Sequence, residues 1–322
     1  MSPDMSQEVN TREVWGKTLA QLGAENPNIV VLDADLSRST MTRFFAERFP
    51  ERFFDCGIAE QNMVSIAAGL AAAGKTVFAS TFAVFATGRC FDQLRMSVSQ
   101  PGLNVKIVST HGGITVGEDG FSHHSIEDIA LACSLPSFIV IVPADANEAA
   151  QAVRVAASTD GPFYIRLSRT KSPLVYPNDY RFVLGKAVLM RQGHDATIIA
   201  NGLMVTSALQ AAERLHKDKI SCRVLSMPTV KPLDEDAVLL AAKETGAIVT
   251  AEEHLEHGGL GSAVACIVAR FRPVPMELVA IKDTYAQSGK PAELLQRYGL
   301  TARGIEQAVK TVIKRKSSAT GN

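Results

Sequence analysis

Glu60 stands at the mouth of a strand–turn–helix unit that runs from Asp55 to Gly74, DCGIAEQNMVSIAAGLAAAG. Its neighbours Ile58 and Ala59 give it nothing to pair with, and the surrounding chain is mostly apolar. Two plain explanations exist for a lone carboxylate at such a junction: it favours the positive end of the helix dipole, or it faces water. A sharper one is a proton-handling acid whose pKa is raised by desolvation. Spacing alone favours the plain ones. The densest polar stretch is Thr110 to His124, THGGITVGEDGFSHH, which holds three of the seven histidines and two carboxylates. Its four glycines let the backbone bend tightly and approach a ligand closely. A flexible surface loop leaves that clustering of histidines unexplained. Zinc on His111, Asp119 and His123 is one alternative, although the chain has no H-E-x-x-H helix and no cysteine close by. A dinucleotide fingerprint fails, because Gly113, Gly117 and Gly120 miss the G-x-G-x-x-G spacing. Phe82 and Phe85, three apart in STFAVF, read by themselves as core. Arg12, Ser39 and Arg169 are weak signals singly, though guanidinium forks suit phosphate oxygens. Asp35 in DADLS reads as a turn residue or a cap for a helix over 40–48.

The elements that must position these residues alternate. Apolar strands are expected at 28–32, 52–55, 76–80, 104–109, 137–142 and 163–167, with helices at 11–22, 41–48, after Glu60, at 86–99 and at 145–158. Met63, Ile66, Ala67 and Leu70 share one face of the helix after Glu60, and Gly74 ends it. Such alternation argues for an α/β protein with a mostly parallel sheet covered on both faces. Ligands then sit beyond the carboxyl ends of the strands, where the clusters 33–40, 57–60, 111–124 and 168–169 all fall. Residues 171–185 break the rhythm with two prolines and Asn178-Asp179. A second alternating set follows, with strands at 196–200, 222–226, 247–251 and 276–280 and helices at 203–216, 234–243, 259–270, 291–297 and 301–314. The expectation is two doubly wound domains, 8–172 and 193–315, joined by a linker over 173–192. Lys314-Arg315-Lys316 and the serine-rich tail read as a frayed, solvated end.

Composition narrows the function classes. The chain has 322 residues, 46% of them hydrophobic, enough for two cores. Lys+Arg and Asp+Glu are both 33, so no overall positive field favours nucleic acid or an anionic membrane. No apolar stretch is long enough to span a bilayer, and the N-terminus lacks a signal pattern. Five scattered cysteines fit reduced thiols in a cytoplasm.

The wording of three segments adds to this. GIAEQNMVSIAAGLA, STFAVF and THGGITVGEDGFSHHSIED together resemble the pyrimidine-binding half of transketolases and their thiamine-diphosphate relatives. Glu252-Glu253-His254 and Gly258-Gly259-Leu260-Gly261 look like that family's C-terminal domain, where no catalysis is assigned. The resemblance implies that Glu60 acts at the pyrimidine ring nitrogen of thiamine diphosphate, favouring the imino tautomer that removes the thiazolium proton. It implies that Phe82 and Phe85 line the aminopyrimidine pocket, with Phe85 stacking on the ring, and that Asp35 lies beside the cofactor. Arg12, Ser39, His111 and Arg169 would hold the sugar phosphate, Asp119 a sugar hydroxyl, and His123 the reacting end. Two departures stand out: Gly112-Gly113 where Asp-Ser is common, and Gly88 where a further aromatic is expected.

The implied reaction is transfer of a two-carbon ketol unit between sugar phosphates. The chain has no Gly-Asp-Gly metal–diphosphate motif; Glu118-Asp119-Gly120 belongs to the sugar loop. The resemblance therefore implies a separate N-terminal, diphosphate-binding subunit that holds most of the Mg2+ or Ca2+, and a heterotetramer with this chain as a self-associating dimer. The beta subunit of a 2-oxo-acid dehydrogenase E1 component is the nearest alternative, deoxyxylulose-phosphate synthase a weaker one. A non-catalytic interaction subunit, with Glu60 as a mere helix-end charge, is a third.

Overall fold

The computed structural model describes residues 7–320. Fourteen strands occur among them: β1 Glu8–Asn10, β2 Ile29–Asp33, β3 Phe53–Asp55, β4 Thr76–Ser80, β5 Val105–Ser109, β6 Ile139–Ile141, β7 Phe163–Arg166, β8 Lys171–Pro173, β9 Val188–Arg191, β10 Ala196–Ala200, β11 Cys222–Ser226, β12 Thr229–Lys231, β13 Ile248–Leu255 and β14 Met276–Ile281. They form a seven-stranded sheet in the order β12-β6-β7-β5-β4-β2-β3 and a five-stranded sheet in the order β14-β13-β10-β11-β9. Both are parallel except at one edge, where β12 runs antiparallel to β6 and β9 antiparallel to β11. The chain is thus α/β with two mostly parallel sheets.

Continuous burial of β2, β4 and β5 explains their unbroken apolar runs. Along β2, Ile29 and Val31 face a core with Trp15, Leu19, Phe45 and Phe78. Val30 and Leu32 face the opposite core, with Met63, Val64, Ala67 and Leu94. The first core is covered by helices Thr11–Glu25, Arg43–Arg48 and Ala146–Ser158, the second by helix Glu60–Ala72 and the segments that follow Phe85. Helix Ala146–Ser158 starts on a reciprocal cap: Asp145 Oδ1 accepts from Glu148 N, and Glu148 Oε2 accepts from Ala144 N at 2.8 Å.

The structure departs from the pattern reading in three places. The helix expected over 86–99 is a π turn at Phe85–Arg89, a short α turn at Phe91–Gln93 and a second π turn at Leu94–Ser99. The segment read as a break over 171–185 opens with β8, which pairs antiparallel with β1, and the linker expected over 173–192 contains β9, which closes one edge of the second sheet. The last helix runs on to Thr320, with Arg315 paired to Glu277 and Lys316 Nζ donating to Thr245 O at 2.7 Å, so the basic run is a docked helix end.

The two halves interlock. Strand β12 leaves the second half to extend the first sheet, and Lys231 Nζ donates to the carbonyls of Cys133 and Leu135. The carboxyl end of β13 docks beneath the glycine-rich loop, where Leu255 N donates to Ile126 O. Among the described residues no helix is long and apolar enough to cross a membrane.

Candidate active site

Strand β3 ends at Asp55, whose carboxylate accepts from Gly57 N and so sets the turn before the helix. Glu60 is the first residue of helix Glu60–Ala72, which has no side-chain cap, so its carboxylate lies near unsatisfied backbone N–H groups. It is only 4% exposed. The sequence offered it no partner; the structure supplies one. Arg89 Nη1 donates to Glu60 Oε1 at 2.9 Å, and the same guanidinium lies 4.0 Å from the Phe85 ring centroid. Phe85 and Arg89 lie four apart in the turn Phe85–Arg89, which puts their side chains on one side of it. Glu60, Arg89, Ile58, Ala59, Gln61 and Asn62 line a concavity of about 370 Å³.

Phe82 and Phe85 stack with centroids 6.0 Å apart. Phe82 also stacks on His111 at 3.8 Å, and His123 meets Phe85 edge-on at 5.3 Å. The loop after β5 therefore folds back onto the aromatic pair after β4, as parallel neighbours joined at Phe82 and Thr110 allow. His111 adopts a positive φ of 62° and is buried, with Nδ1 on Thr110 Oγ1 at 2.7 Å. Burial pushes its pKa down to about 3, helped by the charges of Arg12, Arg169 and His123. The ring is neutral at physiological pH.

Arg12 is held by Ser39, whose carbonyl accepts from Nη1 at 2.8 Å. Burial lowers the Arg12 pKa, and the like charge of Arg169 lowers it further. Two guanidinium groups and a neutral imidazole thus share one corner, an arrangement suited to an anion. Arg169 Nη1 donates to Val116 O and, at 3.1 Å, to Asp119 Oδ2. Asp119 is consequently one member of an ion pair rather than a free carboxylate. His123 Nδ1 lies 3.0 Å from Ser122 Oγ. Among the described residues no group of His, Cys, Asp and Glu is gathered to hold a metal ion, so His111, Asp119 and His123 do not form the zinc alternative.

Asp35 stands apart from the ring cluster. It is exposed, sits at φ 60° and donates its backbone N–H to Asp55 Oδ1 at 3.0 Å. It caps no helix: the position before Ser37–Thr40 is Leu36, without a side-chain cap. The acid that fixes this turn is buried Asp33, which accepts from Leu36 N at 2.7 Å, Thr40 Oγ1 at 2.7 Å and Thr42 Oγ1 at 2.8 Å. Burial raises the Asp33 pKa to about 6 despite those bonds.

Beneath the loop, Arg166 Nε donates to Asp128 Oδ2 at 2.8 Å, and Glu253 Oε1 accepts from Thr115 N at 2.6 Å. A Cβ at Gly112 would lie 2.4 Å from Arg166 Nε, and one at Gly113 2.2 Å from the Glu253 carboxyl, so this pair is glycine because two charged side chains lie against it. Sequence reasoning missed Arg89, Asp33, Arg166 and Glu253. A buried carboxylate demands a partner, and the arginine one turn beyond Phe85 was the available signal.

Comparison with known proteins agrees with this geometry. Residues 7–174 match the family described as transketolase, pyrimidine binding domain, and residues 185–305 the transketolase C-terminal domain. A protein of Methanocaldococcus jannaschii named "Putative transketolase C-terminal section" is 45% identical over 94% of this chain and 96% of its own length. The 6-deoxy-6-sulfo-D-fructose transketolase subunit SqwH of a Clostridium species is 41% identical over 95% of each. A solved structure described as a split gene transketolase, inactive beta4 tetramer, superposes with a TM-score of 0.90 at 49% identity, covering 96% of this chain and 99% of that one. The chain spans about half the length of other curated relatives that it matches. With a buried glutamate, an aromatic pair and a corner of two guanidinium groups at one edge of its sheet, and with these families matching along most of its length, the chain belongs to the transketolase family.

Proposed function

We propose that this chain is the pyrimidine-binding and C-terminal subunit of a two-chain transketolase, transferring a two-carbon ketol unit between sugar phosphates in the cytoplasm. The observation that carries the reading is Glu60, buried at a helix start beside Phe85, on the same sheet edge as Arg12, His111 and Arg169. Thiamine diphosphate fits these residues: the concavity at Glu60 offers a carboxylate to a ring nitrogen, and Arg89, which lines it, packs on the Phe85 ring. When bound, the cofactor supplies the nucleophilic carbon that cleaves and forms carbon–carbon bonds.

The chain's own residues do the rest. Glu60 would hold the proton shared with the pyrimidine nitrogen from its buried place at the helix start. Phe82 and Phe85 flank the ring. Arg12, Ser39, His111 and Arg169 orient the phosphate end of the sugar, and a neutral His111 donates or accepts there without adding charge. Asp119 and His123 face the sugar hydroxyls and the reacting end. Asp35 lies beside the cofactor. A diphosphate-binding partner chain carries the metal and the cofactor tail, and the assembly contains two copies of each chain. The relative named as a subunit, and the split-gene relative described as an inactive tetramer of one chain type, support that division.

The test mixes the chain with its diphosphate-binding partner, thiamine diphosphate and Mg2+. Ketol transfer from a ketose phosphate to an aldose phosphate is expected, and Glu60→Ala lowers it by ~10²–10⁴-fold or more with folding intact. Decarboxylation of pyruvate instead of ketol transfer, or near-normal turnover of the Glu60→Ala assembly, would refute the proposal.

A further inference from the structure

We infer that Glu253, in the second domain, is a positioning residue for the sugar-binding loop. This rests on the reading of residues 110–124 as that loop.

Glu253 lies at the carboxyl end of β13, 4% exposed, and reaches under the loop of the other domain. Its Oε1 accepts from Thr115 N at 2.6 Å. Its main-chain carbonyl accepts from Arg166 Nη2 at 2.8 Å. Arg166 in turn donates to Ser125 O at 3.1 Å and to Asp128 Oδ2, on which Tyr164 OH also donates at 2.6 Å. One buried network therefore runs from the second domain, through β7, to the middle of the loop at Thr115 and to its far end at Ser125.

The loop has shed side-chain bulk to sit on it. Gly112 lies on Arg166 and Gly113 on the Glu253 carboxyl, and Gly113 takes a φ of 84° that other residues resist. His111 is the residue immediately before this pair, also at positive φ, and it is the ring that stacks on Phe82. The chain between Thr110 and Thr115 is pinned at one end by the neighbouring strands and at the other by Glu253. A carboxylate oxygen on a backbone N–H is a charge-assisted bond, stronger than a neutral one. Taking Glu253 away leaves Thr115 N without its acceptor and opens space under Gly113, so His111 loses its fixed height over Phe82. An ångström of misplacement of a substrate-positioning group can cost ~10²-fold in rate.

The experiment compares Glu253→Ala, Glu253→Gln and His111→Gln in the assembled two-chain enzyme. For Glu253→Ala, KM for the ketose phosphate should rise on the order of 10-fold or more while thiamine diphosphate affinity, read by its own titration, stays within about twofold. Hydrogen exchange of the intact chain should accelerate across residues 110–120 and not in helix Glu60–Ala72. Glu253→Gln keeps an oxygen acceptor and should restore most of the sugar affinity. An unchanged KM and unchanged exchange in folded Glu253→Ala, with KM raised in His111→Gln, would overturn the inference while leaving the loop's role intact. An unchanged KM in His111→Gln would overturn the reading of the loop, and the inference with it. Sugar and cofactor affinity falling together would also overturn it, since that pattern is general loosening of the domain.

Discussion

His111 keeps a neutral ring because its corner already holds two guanidinium groups and is closed to water. Burial is the larger cause and takes its pKa from 6.5 to about 3. Between those values the unfolded chain binds a proton that the folded chain refuses. Its contribution to stability is therefore whole above 6.5 and is lost as the pH falls toward 3. Asp33 has the opposite sign. Its pKa rises from 3.8 to about 6, so its contribution is whole at acid pH and is lost as the pH climbs through that window. The two partly mask each other in the wild type, and a variant separates them. His111→Gln is expected to flatten the acid limb: the drop in urea midpoint between about pH 7 and pH 4.5 becomes smaller than in the parent. An equal drop would mean that the histidine titrates freely in the folded chain. At this scale much of the site was legible. Glu60, Phe82, Phe85, His111 and His123 are named through the resemblance, and the structure brings the four rings together with Glu60 joined to them through Arg89. Arg89 was legible only as an arginine one turn beyond Phe85; its pairing with Glu60 spans 29 positions and no periodicity announces it. Asp33 was overlooked for its exposed neighbour Asp35, since two aspartates in one turn do not declare which points inward.

Elements carry the next level, and the loop on Glu253 shows how tightly they are fitted. Gly113 and Gly57 both have positive φ, 84° and 68°. At Gly57 an added Cβ meets nothing within 4 Å, whereas at Gly113 it falls 2.2 Å from a buried carboxyl. Alanine at Gly57 should cost only the backbone strain, about 1 kcal/mol. Alanine at Gly113 should cost more, about 3–6 kcal/mol, because φ 84° with ψ −172° is a backbone region essentially reserved for glycine and the methyl would displace Glu253 from Thr115 N. Chemical denaturation of the two variants measures the difference, and equal losses would show that the close approach exerts no force. Strands such as β2, β4 and β5 were legible because burial on both faces writes an unbroken apolar run. Strands β1, β8 and β12 were not: each has three residues, too few to display a period, and each is defined by what it pairs with. Thr229-Val230-Lys231 becomes a strand only because the edge of β6 is there to receive it.

For the whole molecule, the question is what covers the apolar surface around Glu60. Phe54 is 46% exposed, Ile58 78% and Ile66 38%, and all three border the strand–turn–helix that carries the glutamate. Helix Glu60–Ala72 also presents Ser65 and Gly69 outward, small residues that let another backbone come close. An exposed apolar surface of this kind marks an interaction site. Under the function proposed above, assembly and catalysis would share this surface, and Glu60 would acquire its full surroundings in the oligomer. Ile66 is the residue to change, because it lies outside the concavity at Glu60 and makes no contact with the ring cluster. Ile66→Asp places a charge in the middle of the outward face and costs the monomer about 1 kcal/mol, since Ile66 is only 38% exposed and its covered part leaves apolar contact. Sedimentation of the wild-type chain alone should give a mass above the monomer, and the variant should shift toward the monomer while keeping a cooperative melting transition at high dilution. In the presence of the diphosphate-binding chain the variant should also need a higher protein concentration to reach half-maximal ketol transfer. A wild-type chain that stays monomeric at tens of micromolar, or a variant that associates as tightly as the parent, would mean that this face is covered by something other than a second copy.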